Sequence, residues 1–274
     1  MSNSKIDWCD KTWNVTGGCS KVSAGCLNCW AEKLTANRFK NNPRYDGLTE
    51  NGKWTGEIKL FEDRLDQPLH LRKPQRIFVC SQSDLFHEEV PFEFIAEVME
   101  PMAFCQEHTF LILTKRPDIA AEFFKSINIY IIFPNLHLGV SVSTQEDADE
   151  NIPILLHIPA VVRWVSFEPL LAVIDLNRHF WRPIIETTHN DPLGEVVDYE
   201  PRKTFNWCVI GCEHLGGGKA GRFQDGFIDA AIDIVKQCKE AGIPVFVKQI
   251  PINGKVSHNL AEWPEELRVR EVLK

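Results

Sequence analysis

One pattern recurs along most of this chain: a short, nearly continuous apolar run, polar residues at its end, then a stretch with helical spacing. The apolar runs are Arg76-Ile77-Phe78-Val79-Cys80, Thr109-Phe110-Leu111-Ile112-Leu113, Leu136-His137-Leu138-Gly139-Val140, Val161-Val162-Arg163-Trp164-Val165, Trp207-Cys208-Val209-Ile210 and Ile243-Pro244-Val245-Phe246-Val247. Strands this short and this apolar suit a parallel sheet covered on both sides, with the intervening helices as crossovers. Helical apolar spacing from Phe92 to Cys105 and from Phe227 to Ala241 fills two of the gaps, the second closing on Ala241-Gly242. Residues 5–17 carry two tryptophans and β-branched residues and predict one more short strand ahead of the series. The chain is therefore α/β, either a doubly wound sheet or a β/α barrel.

The polar residues that end the runs decide between these, because a barrel gathers its chemistry at the C-terminal ends of all its strands. Ser81, Asp84, Thr114, Lys115, Ser141, Ser143, Glu168, Glu213 and Lys248 all stand at such ends and would ring one mouth. No glycine fingerprint for a dinucleotide occupies the first strand-to-helix turn. The expectation is a partial or complete parallel, TIM-like β/α barrel in one domain spanning residues 1–274. Residues 178–205 break the pattern and read as a loop excursion, a surface loop by default and a substrate lid as the sharper guess. Residues 43–56 read as a polar loop turning at Asn51-Gly52.

Near the start, Gly18-Cys19-Ser20-Lys21-Val22-Ser23-Ala24-Gly25-Cys26-Leu27-Asn28-Cys29-Trp30 brings three cysteines together, six residues and then two apart, ahead of a helix expected from Trp30 to about Asn41 with Trp30, Leu34 and Phe39 on its apolar face. The chain has nine cysteines, no signal-like start and no apolar stretch long enough to span a bilayer, which predicts a cytoplasmic protein with buried thiols and metal ligands rather than disulfides. Three soft thiolates suit zinc or an iron-sulfur cluster. Zinc needs a fourth protein ligand, and the nearest histidines, His70 and His87, are far downstream. A four-iron cluster on Cys19, Cys26 and Cys29 keeps one iron open and needs none.

Other residues weigh less. A carboxylate at Glu168, directly after an apolar strand, is costly unless it is paired or binds a ligand, and Lys248 is placed to pair with it. The run Glu213-His214-Leu215-Gly216-Gly217-Gly218-Lys219-Ala220-Gly221-Arg222 lacks the phosphate-loop spacing and reads equally as a flexible loop that closes over a ligand's polar groups or as a plain surface loop. Trp8, Trp13 and Trp30 are expected to crowd the cysteine loop and exclude solvent. A net charge of −8 argues against general adhesion to nucleic acid, with Arg64, Arg72, Lys73 and Arg76 as a local basic exception.

Several segments together resemble a known family. They are Ile6-Asp7-Trp8, Thr12-Trp13-Asn14, Gly18-Cys19, Gly25-Cys26-Leu27-Asn28-Cys29-Trp30-Ala31, Ser83-Asp84-Leu85-Phe86-His87, Leu113-Thr114-Lys115-Arg116-Pro117 and Leu138-Gly139-Val140-Ser141-Val142, followed by Phe167-Glu168-Pro169-Leu170-Leu171, Ile174-Asp175-Leu176 and Ala241-Gly242-Ile243-Pro244-Val245-Phe246-Val247-Lys248-Gln249. Their order and spacing are similar to the phage three-Cys-motif family, the type of phage gene products thirty-seven and sixty-eight, which in turn resembles radical S-adenosylmethionine enzymes. Two departures stand out: six residues rather than three between the first two cysteines, and Gly211-Cys212-Glu213-His214-Leu215 where the family usually has Gly-Gly-Glu-Ser-Gly.

The resemblance implies a radical S-adenosylmethionine type of barrel whose Cys19, Cys26 and Cys29 hold a [4Fe-4S] cluster. S-adenosylmethionine would bind its open iron and yield a 5′-deoxyadenosyl radical. Ser81, Asp84, Thr114, Ser141 and Glu168 become candidates for cofactor contact; Lys115, Lys248 and Glu213 are placed nearer the substrate, as candidate catalytic groups. A reducing electron donor is required. The implied substrate is a nucleobase, nucleotide or DNA, with phage DNA modification such as rearrangement of an amino-acid-modified thymine as an example, and the host cytoplasm as the place. The competing reading is a non-catalytic zinc or iron-sulfur module that recognises nucleic acid or a partner protein.

Overall fold

The computed structural model describes residues 1–127, 133–188, 191–201 and 204–273. Seven parallel strands form the centre: β1 (Lys11–Trp13), β2 (Arg76–Val79), β3 (Thr109–Thr114), β4 (Leu136–Ser141), β5 (Val162–Phe167), β6 (Trp207–Gly211) and β7 (Val245–Ile252). They lie in sequential order, each beside the next, with no reversal of the winding. All six expected runs are strands, and the seventh comes from residues 5–17 as expected. The fold is mixed α/β with a large, mostly parallel sheet.

The sheet is not closed among the described residues. Beyond β1, Ser2–Asn3 pairs antiparallel, and beyond β7 the antiparallel strands Lys255–Ser257, Lys219–Ala220 and His214–Gly216 follow, so both outer edges of the parallel set are occupied by other strands. A complete barrel, one form of the expectation, is therefore not what these strands make.

The sheet nevertheless curls. Strands in a sheet are about 4.8 Å apart, so β2 and β6 would stand roughly 19 Å apart if it were flat. The Trp8 ring lies 4.9 Å from Phe78 on β2, 5.4 Å from Trp164 on β5 and 5.9 Å from Trp207 on β6. One indole touches three strands because the sheet bends around it. Trp8, Phe78, Leu111, Trp164, Trp207, Val209 and Phe246 make this inner core, and each close aromatic pair adds about 0.5–1.5 kcal/mol beyond its buried area.

The other face packs against helices α2 (Phe92–Phe104), α3 (Pro117–Ser126), α4 (Gln145–His157) and α5 (Gln224–Glu240) through a larger core that includes Ile77, Val79, Phe110, Ile112, Val140, Val165, Ile210 and Val247, whereas the first helix, α1 (Trp30–Arg38), lies against the short strands Thr49–Glu50, Lys53–Trp54 and His214–Gly216. Proline at the first position starts α3, and a reciprocal Thr144–Asp147 capping box starts α4. None of the described helices is long and apolar enough to cross a membrane.

Three expectations need correction. Helix α1 buries Ala31, Glu32 and Thr35 rather than a face built on Trp30, because Glu32 is held by Lys21 at 3.0 Å and Lys53 at 3.7 Å while Trp30 is half exposed. Trp13 belongs to the outer core and gives its indole N–H to the Arg64 carbonyl, so it does not crowd the cysteine loop. The excursion contains a two-stranded antiparallel ribbon, Trp181–Thr188 with Asp191–Pro201, rather than loop alone; its residues 189, 190, 202 and 203 lie outside the described residues. The turn at Asn51-Gly52 joins the short paired strands Thr49–Glu50 and Lys53–Trp54, as expected.

Candidate functional site

Alternation along a strand fixes what the concave side receives. Lys115 has the parity of Leu111, Glu168 that of Trp164, and Lys248 that of Phe246, all of them inner-core residues, so the three polar residues continue the inner face, Lys115 and Glu168 just past the ends of their strands and Lys248 where the parallel pairing of β7 with β6 ends. There they meet the cysteine loop. A cavity of about 420 Å³ is lined by Cys19, Cys26, Cys29, Ser81, Asp84, Thr114, Lys115, Ser141, Glu168, Glu213 and Lys248. Every residue singled out from the sequence as a metal, cofactor or substrate contact thus borders one space, with Trp8 and Phe78 in its lining.

The cysteine loop is pressed onto the strand ends. A Cβ at Gly25 would collide with the Ser143 hydroxyl and stand 3.5 Å from Lys115 Nζ, so a residue without a side chain is required for this approach. Cys26 ends a short 3-10 turn and Cys29 is the N-cap of α1. All three thiols are free. Burial, with help from the Asp84 carboxylate, pushes the Cys19 thiol up to about 12, so a bound metal must displace its proton.

Behind Cys19 stands a buried ionic cluster. Arg116, 4% exposed, reaches Glu88 at 2.6 Å, Asp84 at 3.4 Å, the Ser20 hydroxyl at 2.6 Å and Cys19 Sγ at 3.9 Å. Asp84 also accepts from the Thr114 hydroxyl at 2.8 Å and the Lys115 amide at 2.9 Å, which ties the ends of β2 and β3 together. His87 donates to or accepts from Ser20 Oγ at 2.9 Å, whereas His70 pairs with Asp66 on the exterior.

Across the cavity, Lys248 Nζ lies 2.6 Å from Glu168 Oε1, the pairing anticipated from sequence, and Gln249 adds an amide donor at 3.0 Å. Lys115 directs its ammonium to Ser141 Oγ, which itself donates to the Glu168 carbonyl at 3.2 Å. Glu213 is engaged by the Arg222 guanidinium and backbone amide; burial pushes its carboxyl up, but those bonds and one from Asn28 prevail and hold it below the usual range. Arg222 also donates to the Ala24 carbonyl at 2.9 Å, so Glu213 anchors the cysteine loop.

These features define a mixed α/β protein in which a three-cysteine loop and the C-terminal ends of parallel strands enclose one cavity. The family described as protein of unknown function (DUF5131) matches residues 3–262, and the chain belongs to it. No curated protein and no solved structure gives a significant match.

The sequence reading passed over Arg116, Gln249, Arg222 and Gly25. The signal was present for Arg116, a charged residue between a polar strand end and a helix-starting proline. For Arg222 it was obscured by the glycines around it, which read as flexibility.

Proposed function

We propose that the protein is a radical S-adenosylmethionine enzyme acting on a nucleobase or nucleotide-type substrate, its open, curled sheet being a partial barrel of that type. The observation that carries this reading is the convergence of three free thiols and the polar ends of successive parallel strands on one cavity. The donor set fits a cluster better than a single ion. Three thiolates leave one position open on a four-iron cluster, whereas a structural zinc ion takes a fourth protein ligand.

Cys19, Cys26 and Cys29 would hold the cluster, and Ser81, Asp84, Thr114, Ser141 and Glu168 line the space beside it. When bound there, the cluster and S-adenosylmethionine supply a carbon-centred radical that removes hydrogen from substrate. The protein's part is binding and exclusion of water. Trp8 closes the inner end, Arg116 balances charge on the Cys19 side, and Lys115 offers a cation to a carboxylate or phosphate. Trp30, half exposed on the cavity lining, offers an aromatic face to a base. A base that carries an amino acid presents both features, which favours an amino-acid-modified thymine in phage DNA as substrate.

Anaerobic purification with iron and sulfide tests the reading. The expected product is a brown protein that, once reduced, converts S-adenosylmethionine to 5′-deoxyadenosine. A colourless protein whose zinc disappears on Cys26→Ser would replace it with the non-catalytic module.

A further inference from the structure

The turn between α2 and β3 carries a second group of metal-ligating side chains, at the opposite end of β3 from Lys115 and the cysteine loop. Lys115 stands seven positions beyond His108 along extended chain, about 23 Å away. The His108 amide donates to the Cys105 carbonyl at 3.0 Å, and this tight turn sets the two side chains on one side. The Cys105 sulfur, a Glu107 carboxylate oxygen and a His108 ring nitrogen all lie within 4.8 Å of one another.

The His108 imidazole is unusual. It is 1% exposed, yet neither ring nitrogen has a hydrogen-bond partner among the described residues, and the nearest carboxylate, Glu107, stays 3.9 Å away. Buried polar groups are ordinarily satisfied, so two orphan nitrogens on one ring mark a place where something else supplies the partner. The turn is also braced. Asn135 donates to the Met102 carbonyl at 2.9 Å and the Cys105 carbonyl at 3.0 Å from the residue preceding β4.

We propose that Cys105, Glu107 and His108 bind one divalent transition-metal ion, zinc by preference, with water in the fourth position. Thiolate, imidazole and carboxylate together are the zinc donor set, with bonds of about 2.0–2.3 Å that put ligand atoms about 3.3–3.8 Å apart around a tetrahedron. The required contraction is small, and Glu107, half exposed, is free to swing inward. Such an ion pins the end of α2, which contains Pro101, to the residue just before β3, and it does so independently of the cysteine loop.

The test is cobalt(II) titration of the full chain carrying Cys19→Ser, Cys26→Ser and Cys29→Ser, with circular dichroism to verify folding. One cobalt per chain with a thiolate charge-transfer band is expected. The band should vanish when Cys105→Ser is added, and Glu107→Gln or His108→Gln should weaken binding by at least about tenfold, the loss that even outer partners of a metal site cause. No band in the folded triple variant, or one that survives Cys105→Ser, overturns the site. Where the triple variant does not fold, the unsubstituted chain serves: zinc should raise its unfolding temperature and not that of His108→Gln, and an equal rise in both overturns the site.

Discussion

Glu168, just past the end of β5, and Lys248, midway along β7, meet across β6 through a contact of 2.6 Å. The crossing depends on Gly211 at the end of β6, where a Cβ would stand 3.1 Å from Glu168 Cδ and 3.2 Å from Gln249 Nε2. Each charged side chain is 22% exposed, so the pair is shielded without being sealed. Glu168→Gln should lower unfolding stability by only about 1 kcal/mol, as measured by urea denaturation. Formation of 5′-deoxyadenosine should fall by about a hundredfold, the scale on which a positioned polar group at a reacting centre acts. Equal losses in stability and activity would mark the pair as structural.

Alanine at Cys19, Cys26 or Cys29 should each abolish iron binding and activity together, read as iron per chain and 5′-deoxyadenosine released. Cys238 is fully buried beside Cys208 in the outer core, and Cys238→Ala should leave iron content unchanged. Equivalent behaviour of all four would refute the cluster assignment.

Arg116 should matter twice. Arg116→Gln leaves Asp84 buried without its cation, a change expected to cost about 3 kcal/mol in denaturant titration. The same variant removes positive charge beside Cys19 and should lower the reduction potential of the bound cluster, since charge and hydrogen bonds at the sulfurs set that potential. Arg116→Lys keeps the charge and loses the fork, so the potential should recover more than the stability.

The pH dependence of stability should carry the mark of His137 at the start of β4. Burial holds its imidazole down at about 4 against an ordinary 6.5. Between those values the unfolded chain takes up a proton that the folded chain refuses, so stability, fully present above 6.5, declines as pH falls towards 4. His137→Asn should flatten that decline in unfolding midpoints followed across the window; an unchanged slope would remove His137 from the account.

Much of this architecture was written in local pattern. Runs such as Phe110-Leu111-Ile112-Leu113 are apolar on both faces, and only a strand between two cores satisfies that, so strand positions and their polar ends could be read directly. Lys115, Glu168 and Lys248 followed from the same run ends. Closure could not be read, because alternation says nothing of what lies beyond β1 and β7, and there Ser2–Asn3 and Lys255–Ser257 occupy the edges. The role of Trp8 was hidden for a related reason: its neighbours Phe78, Trp164 and Trp207 come from three strands far apart in sequence. Trp13 misled because nearness to the cysteines along the chain does not say which side of β1 a residue faces.

Trp8 has a consequence for traffic. With that indole 2% exposed and wedged among β2, β5 and β6, the chamber has a floor, and whatever reaches the cysteines must come down from the rim. A dead-end vessel imposes a queue: the deepest guest boards first and departs last. Under the proposed chemistry, S-adenosylmethionine would settle next to the sulfurs before the base descends, and its spent remnant would wait until the altered base has gone.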